Sequence, residues 1–195
     1  MSIASSRLIY AAFAGVAAIE AAVFACIFFP KVTPAYRDYF ITRTSNCWER
    51  ATSTAYPLGQ PIAFGADVEG IASDPFRVCG WSGVETWGTW TEGGRASLML
   101  RLPPDAPALR MRTKVRSFGE QSVEVRANQR TVARWRLIGD EREFSVLIPS
   151  KIARSGDSVR IDFLIANPRA PRDLGLSSDP RRLGIGVSRV VLERQ

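Results

Sequence analysis

The sequence predicts an all-β fold: an antiparallel, jelly-roll-like β-sandwich preceded by one N-terminal transmembrane α-helix. Three observations predict it. Residues 8–29 form an apolar run with a single charge, Glu20, near its centre. From Pro57 onward the chain alternates apolar and polar residues with the period of two that marks half-buried strands. Turn residues separate these segments at intervals of about ten residues, the spacing of sandwiches and barrels, and no long helical period intervenes.

The apolar run covers 22 residues, and a helical crossing takes roughly 20. It is longer than the apolar core of a signal peptide and has no clean small-residue cleavage site, which favours an uncleaved anchor. A carboxylate at mid-membrane costs on the order of 2.5–3.5 kcal/mol and tends to face a protein partner or a wet cavity. Ala11, Gly15, Ala18 and Ala22 recur on one helical face, and small residues let helices approach closely. Glu20, Gly15, Ala18 and Ala22 are therefore the candidate contacts to other membrane proteins. The alternative is an alanine-rich lipid anchor with Glu20 protonated.

Residues 1–30 are read as the anchor, 31–56 as a juxtamembrane segment with a short helix over 34–42, and 57–195 as the folded domain. The strand segments follow in order. Residues 96–102 form a strand closed by Pro103-Pro104. Residues 109–117 alternate strictly, with Leu109, Met111, Thr113 and Val115 on one face and Arg110, Arg112, Lys114 and Arg116 on the other. Segments 122–127 and 131–137 form a hairpin with Asn128-Gln129 at its tip. Segments 143–148, 158–165 and 183–192 complete the sandwich, giving about eight or nine strands.

Composition narrows the function. Hydrophobic residues make up 46% and charged residues 23% of the chain, which fits a folded domain. The net charge of +7 suits anionic glycans, lipid headgroups or acidic subunits. Nucleic acid is disfavoured, because the domain is expected outside the cytoplasm and shows no recognition motif. There is no histidine, which removes Ser-His-Asp and Cys-His catalysis and histidine-containing zinc sites. No cofactor, metal or catalytic residue is expected. Of the three cysteines, Cys26 lies in the apolar run. Cys47 and Cys79 are expected to form a disulfide, which requires an oxidising compartment; the alternative is two reduced thiols. The disulfide and the large soluble domain together place the N-terminus in the cytoplasm and the C-terminal domain in the periplasm of a bacterial inner membrane.

Two constellations carry functional meaning. Trp81, Trp87 and Trp90 lie among glycines between residues 80 and 94. Indole faces suit sugar rings, so these three are carbohydrate-stacking candidates; the alternative is that they anchor the core. Trp87 and Trp90 are three apart, which in an extended strand puts them on opposite sides. Glu85 and Glu92 read as surface carboxylates rather than a glycosidase pair. Arg110, Arg112, Lys114 and Arg116 form a face for an anionic partner, or a solvated face balanced by cross-strand acids such as Glu124. The long loop 167–182, with Asp173, Asp179 and its arginines, reads as stapled by its own ion pairs, with a ligand cleft as the alternative.

The stretch Gly80-Trp81-Ser82 through Glu85-x-Trp87-Gly88-x-Trp90-Thr91-x-Gly93, the hairpin Ala127-Asn128-Gln129 through Trp135, and the closing segment from Pro171-x-Asp173-Leu174-Gly175 to Gly184-Ile185-Gly186 together resemble a known grouping. It is an uncharacterised β-sandwich domain that accompanies bacterial membrane glycosyltransferases and surface-polysaccharide proteins. The resemblance spans about residues 78–193 and brings no catalytic residue with it. Here the domain is expected to stand without an attached transferase, following a single helix. The expectation is therefore a non-catalytic, membrane-anchored accessory subunit with a carbohydrate-binding-like periplasmic β-sandwich, serving an envelope polysaccharide or other membrane complex. The alternative is a purely structural subunit of a larger membrane assembly that binds no glycan.

Overall fold

The computed structural model describes residues 3–28, 32–33, 36–37, 41, 47–50, 52 and 54–195. The chain divides into two compact units, Met1–Pro34 and Ala35–Gln195.

The first unit holds one helix, α1 (Ile3–Phe28). Its described side chains, Arg7, Tyr10 and residues 12–26, are all exposed, Glu20, Gly15, Ala18 and Ala22 among them. Tyr10, Phe13, Val16, Ile19 and Val23 are large apolar groups left uncovered. Among the described residues no helix is long and apolar enough to cross a membrane. This corrects the span expected over residues 8–29: what is established is a helix with an uncovered apolar surface, and Phe29 lies outside the described residues. The short helix expected over 34–42 also falls largely outside them.

The second unit is an antiparallel sandwich. Among the described residues its strands are β1 (Ile62–Ala63), β2 (Ile71–Ala72), β3 (Arg77–Cys79), β4 (Thr89–Glu92), β5 (Arg95–Arg101), β6 (Leu109–Ser117), β7 (Glu120–Ala127), β8 (Arg130–Ile138), β9 (Arg142–Ile148), β10 (Ser158–Ile165) and β11 (Leu183–Arg194). The first sheet runs β2-β1-β11-β6-β9, with β4 also paired to β11; the second runs β3-β5-β10-β7-β8. Strand pairs are antiparallel except the short β1–β2 pair. From β2 onward the chain passes from one sheet to the other at each step except β7–β8, which gives the jelly-roll-like topology.

Alternation decides what each strand buries. Leu109, Met111, Thr113 and Val115 of β6 face the core, as do Val123, Val125 and Ala127 of β7 and Val159, Ile161, Phe163 and Ile165 of β10. Trp135 of β8 ties the layers together: its ring stacks on Phe144 of β9 at 4.9 Å and leans on Phe163 at 5.9 Å. The β7–β8 hairpin turns at Asn128 and Gln129, with φ of 44° and 66°, the left-handed pair that a two-residue hairpin needs. Segments 109–117 and 158–165 are strands with the bounds read from sequence. The short strands β1 to β4 and the one-turn helix α2 (Ser150–Ala153) carry too few residues to show a period.

Cys47 and Cys79 form a disulfide with 4.5 Å between Cα atoms. It packs with Val78 and Met99 and fixes residues 47–50 against β3, where Arg50 N–H donates to the Val78 carbonyl at 3.0 Å.

Candidate functional site

The outer faces of the two sheets carry different chemistry. On the second sheet most charged groups away from the strand ends satisfy one another. Asp162, with its side chain 4% exposed, accepts from Ser97 Oγ at 2.5 Å, Arg160 Nε at 2.9 Å and Arg95 Nη2 at 3.0 Å. Glu49, held nearby by the disulfide, accepts from Arg160 at 2.7 Å. Burial pushes the Asp162 carboxyl up, but the hydrogen bonds from Ser97 and Arg160, the Arg160 charge and the Arg95 bond outweigh it and hold the group below the usual carboxylate range. Glu124 accepts from Arg126, Thr131 and Arg134, and Glu120 from Arg136. This face is an internally paired network.

The first sheet presents indole rings and unpaired charges. Trp90 on β4 is opposite Gly186 on β11, and Gly186 is opposite Arg116 on β6. The three positions form one row across three strands. Thr89 points the other way and donates to the Phe64 carbonyl at 2.6 Å inside the core. Trp87 lies over Gly186, where an added Cβ would overlap its ring carbon Cη2 and sit 3.1 Å from Trp90 Cε3. Glycine is what seats the ring there. The Trp87 and Trp90 rings meet edge to face at 5.2 Å, and Trp90 meets Phe118 at 6.1 Å. Trp87 Nε1 donates to Glu85 Oε2 at 2.9 Å. The Arg116 guanidinium stacks over the Trp87 ring, 4.1 Å from its centroid.

Beside Trp87 is an open depression of about 420 Å³ whose polar lining includes Asp67, Glu69, Lys114, Arg116, Glu141 and Arg189. Among the described residues none of these six forms an ion pair. Only Glu141 has a side-chain hydrogen bond, accepting from Ser188 at 2.7 Å. No group of three His, Cys, Asp or Glu among the described residues is placed to hold a metal ion.

The sequence candidates are thus redistributed. Trp87 and Trp90, both partly exposed, share one face rather than opposite ones. Trp87 precedes β4, so strand alternation does not govern it. Trp81 is half-buried as well, but it packs against the core, on Phe64 at 4.9 Å and Phe163 at 6.1 Å, and its Nε1 donates to the Ser97 carbonyl at 2.9 Å. The basic row of β6 does face outward, but it is not uniform. Arg112 is paired with Glu193 at 3.1 Å and Glu143 at 3.8 Å, Arg110 is exposed near the end of the strand, and Lys114 and Arg116 belong to the depression.

Glu85 and Glu92 each have a structural partner. Glu92 follows Trp90 on the same face, 4.0 Å from Arg181. Burial pushes its carboxyl up; Arg181 opposes this and Asp179 adds to it. Asp179 chelates Arg181, which holds the Asp179 carboxyl below the usual range. The loop before β11 is stapled by Arg172 N–H donating to the Asp179 carbonyl and by the Arg169–Leu183 bridge. Asp67, Glu69, Glu141 and Arg189 were not singled out in the sequence, because they come from two turns and a bulged part of β11 and share no motif.

No family model matches the chain, and no curated protein is similar to it. Among solved structures, it is similar to the CBM36-1 domain of a multidomain xylanase from the hindgut metagenome of Trinervitermes trinervoides. The identity is 8%, the match covers 69% of this chain and 96% of that one, and the TM-score is 0.41. It is similar to a carbohydrate-binding module CBM36 in complex with calcium and xylotriose at 12% identity, covering 58% and 87%, with a TM-score of 0.36. It is also similar to a point mutant of a family 29 carbohydrate-binding module at 12% identity, covering 69% and 92%, with a TM-score of 0.40.

Proposed function

We propose that this protein is a non-catalytic, glycan-binding accessory protein, held at a membrane by α1 with its sandwich in an oxidising compartment outside the cytoplasm. The observation that carries the reading is the partly exposed Trp87, seated on Gly186 at the rim of a depression whose polar groups have not used each other up. A sugar needs that combination: an apolar surface for its C–H face and free donors and acceptors for its hydroxyls. Trp90 supports Trp87 and widens the platform. Trp81 is left out, because it packs on Phe64 and Phe163 and its Nε1 is already taken by the Ser97 carbonyl.

The membrane part of the proposal rests on the uncovered apolar side chains of α1, which need lipid or another helix to cover them. The disulfide supports an oxidising compartment. The absence of histidine favours binding over acid–base chemistry. Glycan-array screening of the full chain, solubilised in a detergent without a sugar headgroup, tests the central claim. Binding is expected, and Trp87→Ala should weaken it at least about tenfold, equivalent to ~1.4 kcal/mol. A chain that binds no glycan on the array, or binds equally well without Trp87, would overturn the reading.

A further inference from the structure

We infer that the Trp87 depression takes an uncharged, hydroxyl-rich saccharide rather than an acidic polymer; this rests on the glycan-binding reading of the same site. The inference comes from how charge is arranged there. The basic row of β6 viewed alone favours an anionic partner. Folding changes that balance. Lys114 and Arg116 are joined at the depression by Arg189 from β11, and Asp67, Glu69 and Glu141 stand among them. The titratable lining is three cations and three carboxylates, formally neutral, and no two of them are close enough to pair.

Such a lining penalises either kind of charged ligand. A uronate or phosphate brought to the cations also meets three carboxylates, and like charges in a partly desolvated site repel. An amino sugar meets three cations. A neutral sugar avoids both costs. Each hydroxyl is one donor and two acceptors, so it donates to a carboxylate while accepting from a guanidinium or ammonium group. Hydrogen bonds to ionised partners are roughly twice as strong as neutral ones. Neighbouring hydroxyls on one ring can thus bridge opposite charges that the protein itself leaves apart. Arg116 has a second role. Its guanidinium already covers part of Trp87, and a sugar that claims that surface leaves Arg116 free carboxylates to turn to. On the second sheet, by contrast, Arg95, Arg126, Arg134, Arg136 and Arg160 have acidic partners, and among the described residues Arg101 and Arg130, at strand ends, do not.

The test compares cellohexaose, xylohexaose and mannohexaose with hexagalacturonate, by calorimetry on the detergent-solubilised full chain at 50 and 500 mM NaCl. At least one neutral hexasaccharide should bind, with affinity changing less than about twofold between the two salt concentrations, since no counterions are released. Hexagalacturonate should bind at least tenfold more weakly. The double variant Asp67→Asn/Glu69→Gln should narrow that gap by favouring the acidic ligand, with unchanged thermal unfolding showing that the fold is intact. Hexagalacturonate binding to the unaltered protein as tightly as any neutral probe, and weakening steeply with salt, would overturn the inference while leaving the glycan reading standing. Failure of all four saccharides to bind, together with a blank glycan array, would overturn both.

Discussion

If one sheet face is structural and the other binds, replacing Asp162 and replacing Trp87 should have opposite effects. Asp162→Ala removes a carboxylate that is almost wholly buried and accepts from Ser97, Arg95 and Arg160. Breaking a buried charge pair costs about 3–5 kcal/mol. The low end applies here, about 3 kcal/mol, because the Arg95 side chain is 40% exposed and water screens its share. For a domain of this size that lowers the melting temperature by about 6–12 °C. Glycan affinity should stay within twofold, since the network lies on the other sheet. Trp87→Ala should do the reverse, costing binding at least tenfold with a smaller loss of stability.

The acid limb gives a second readout. The folded Asp162 carboxyl is held below its unfolded value, so the native state binds fewer protons than the unfolded chain. Its stabilisation is complete above the unfolded value of about 3.9 and is lost as pH falls through the folded one. The stability gap between the protein and Asp162→Ala, measured by scanning calorimetry at pH 7 and at progressively lower pH, should therefore close in acid. A gap below about 1 kcal/mol at neutral pH, or a folded Asp162→Ala protein that no longer binds glycan, would refute the division of roles between the faces.

Two further substitutions probe the parts that hold the site and the domain. Cys47→Ser opens a crosslink between residues 32 apart, which the loop-entropy relation values at ~3–4 kcal/mol; denaturant unfolding should show that loss with glycan binding retained. Gly186→Ala places a methyl group against Trp87 and Trp90, an overpacking that costs ~1–3 kcal/mol; near-UV circular dichroism should change and glycan binding fall, while the far-UV spectrum stays that of the sandwich.

The strands that could be read in advance are those whose own residues settle the matter. In β6 nine consecutive positions alternate between core and surface, and in β10 Val159, Ile161, Phe163 and Ile165 turn inward at every second position while Asp162, on the outer face, is covered by its charged partners; the pattern survives folding because burial of the apolar face decides register. The short strands β1 and β2, two residues each, have no period to read; β1 exists because β11 offers it an edge, and β2 because β1 does. The disulfide was legible from two cysteines of the folded part, 32 positions apart and each beside extended chain. The helix at residues 3–28 was legible from its apolar residues.

The site was only half legible, and the reason is topological. The tryptophans at 87 and 90 and the basic row ending at Arg116 stood out as two unrelated signals, one for sugars and one for anions. They become a single site because β11 lies between β4 and β6 and puts Gly186 opposite both Trp90 and Arg116. That register depends on a bulge between Val187 and Arg189, which no local pattern announces. The same placement brings Asp67, Glu69 and Glu141 to the cations of β6 and β11. A strand that looks purely basic in sequence therefore borders a formally neutral depression after folding, and it is that neutrality, rather than the basic row, on which the proposed choice of ligand rests.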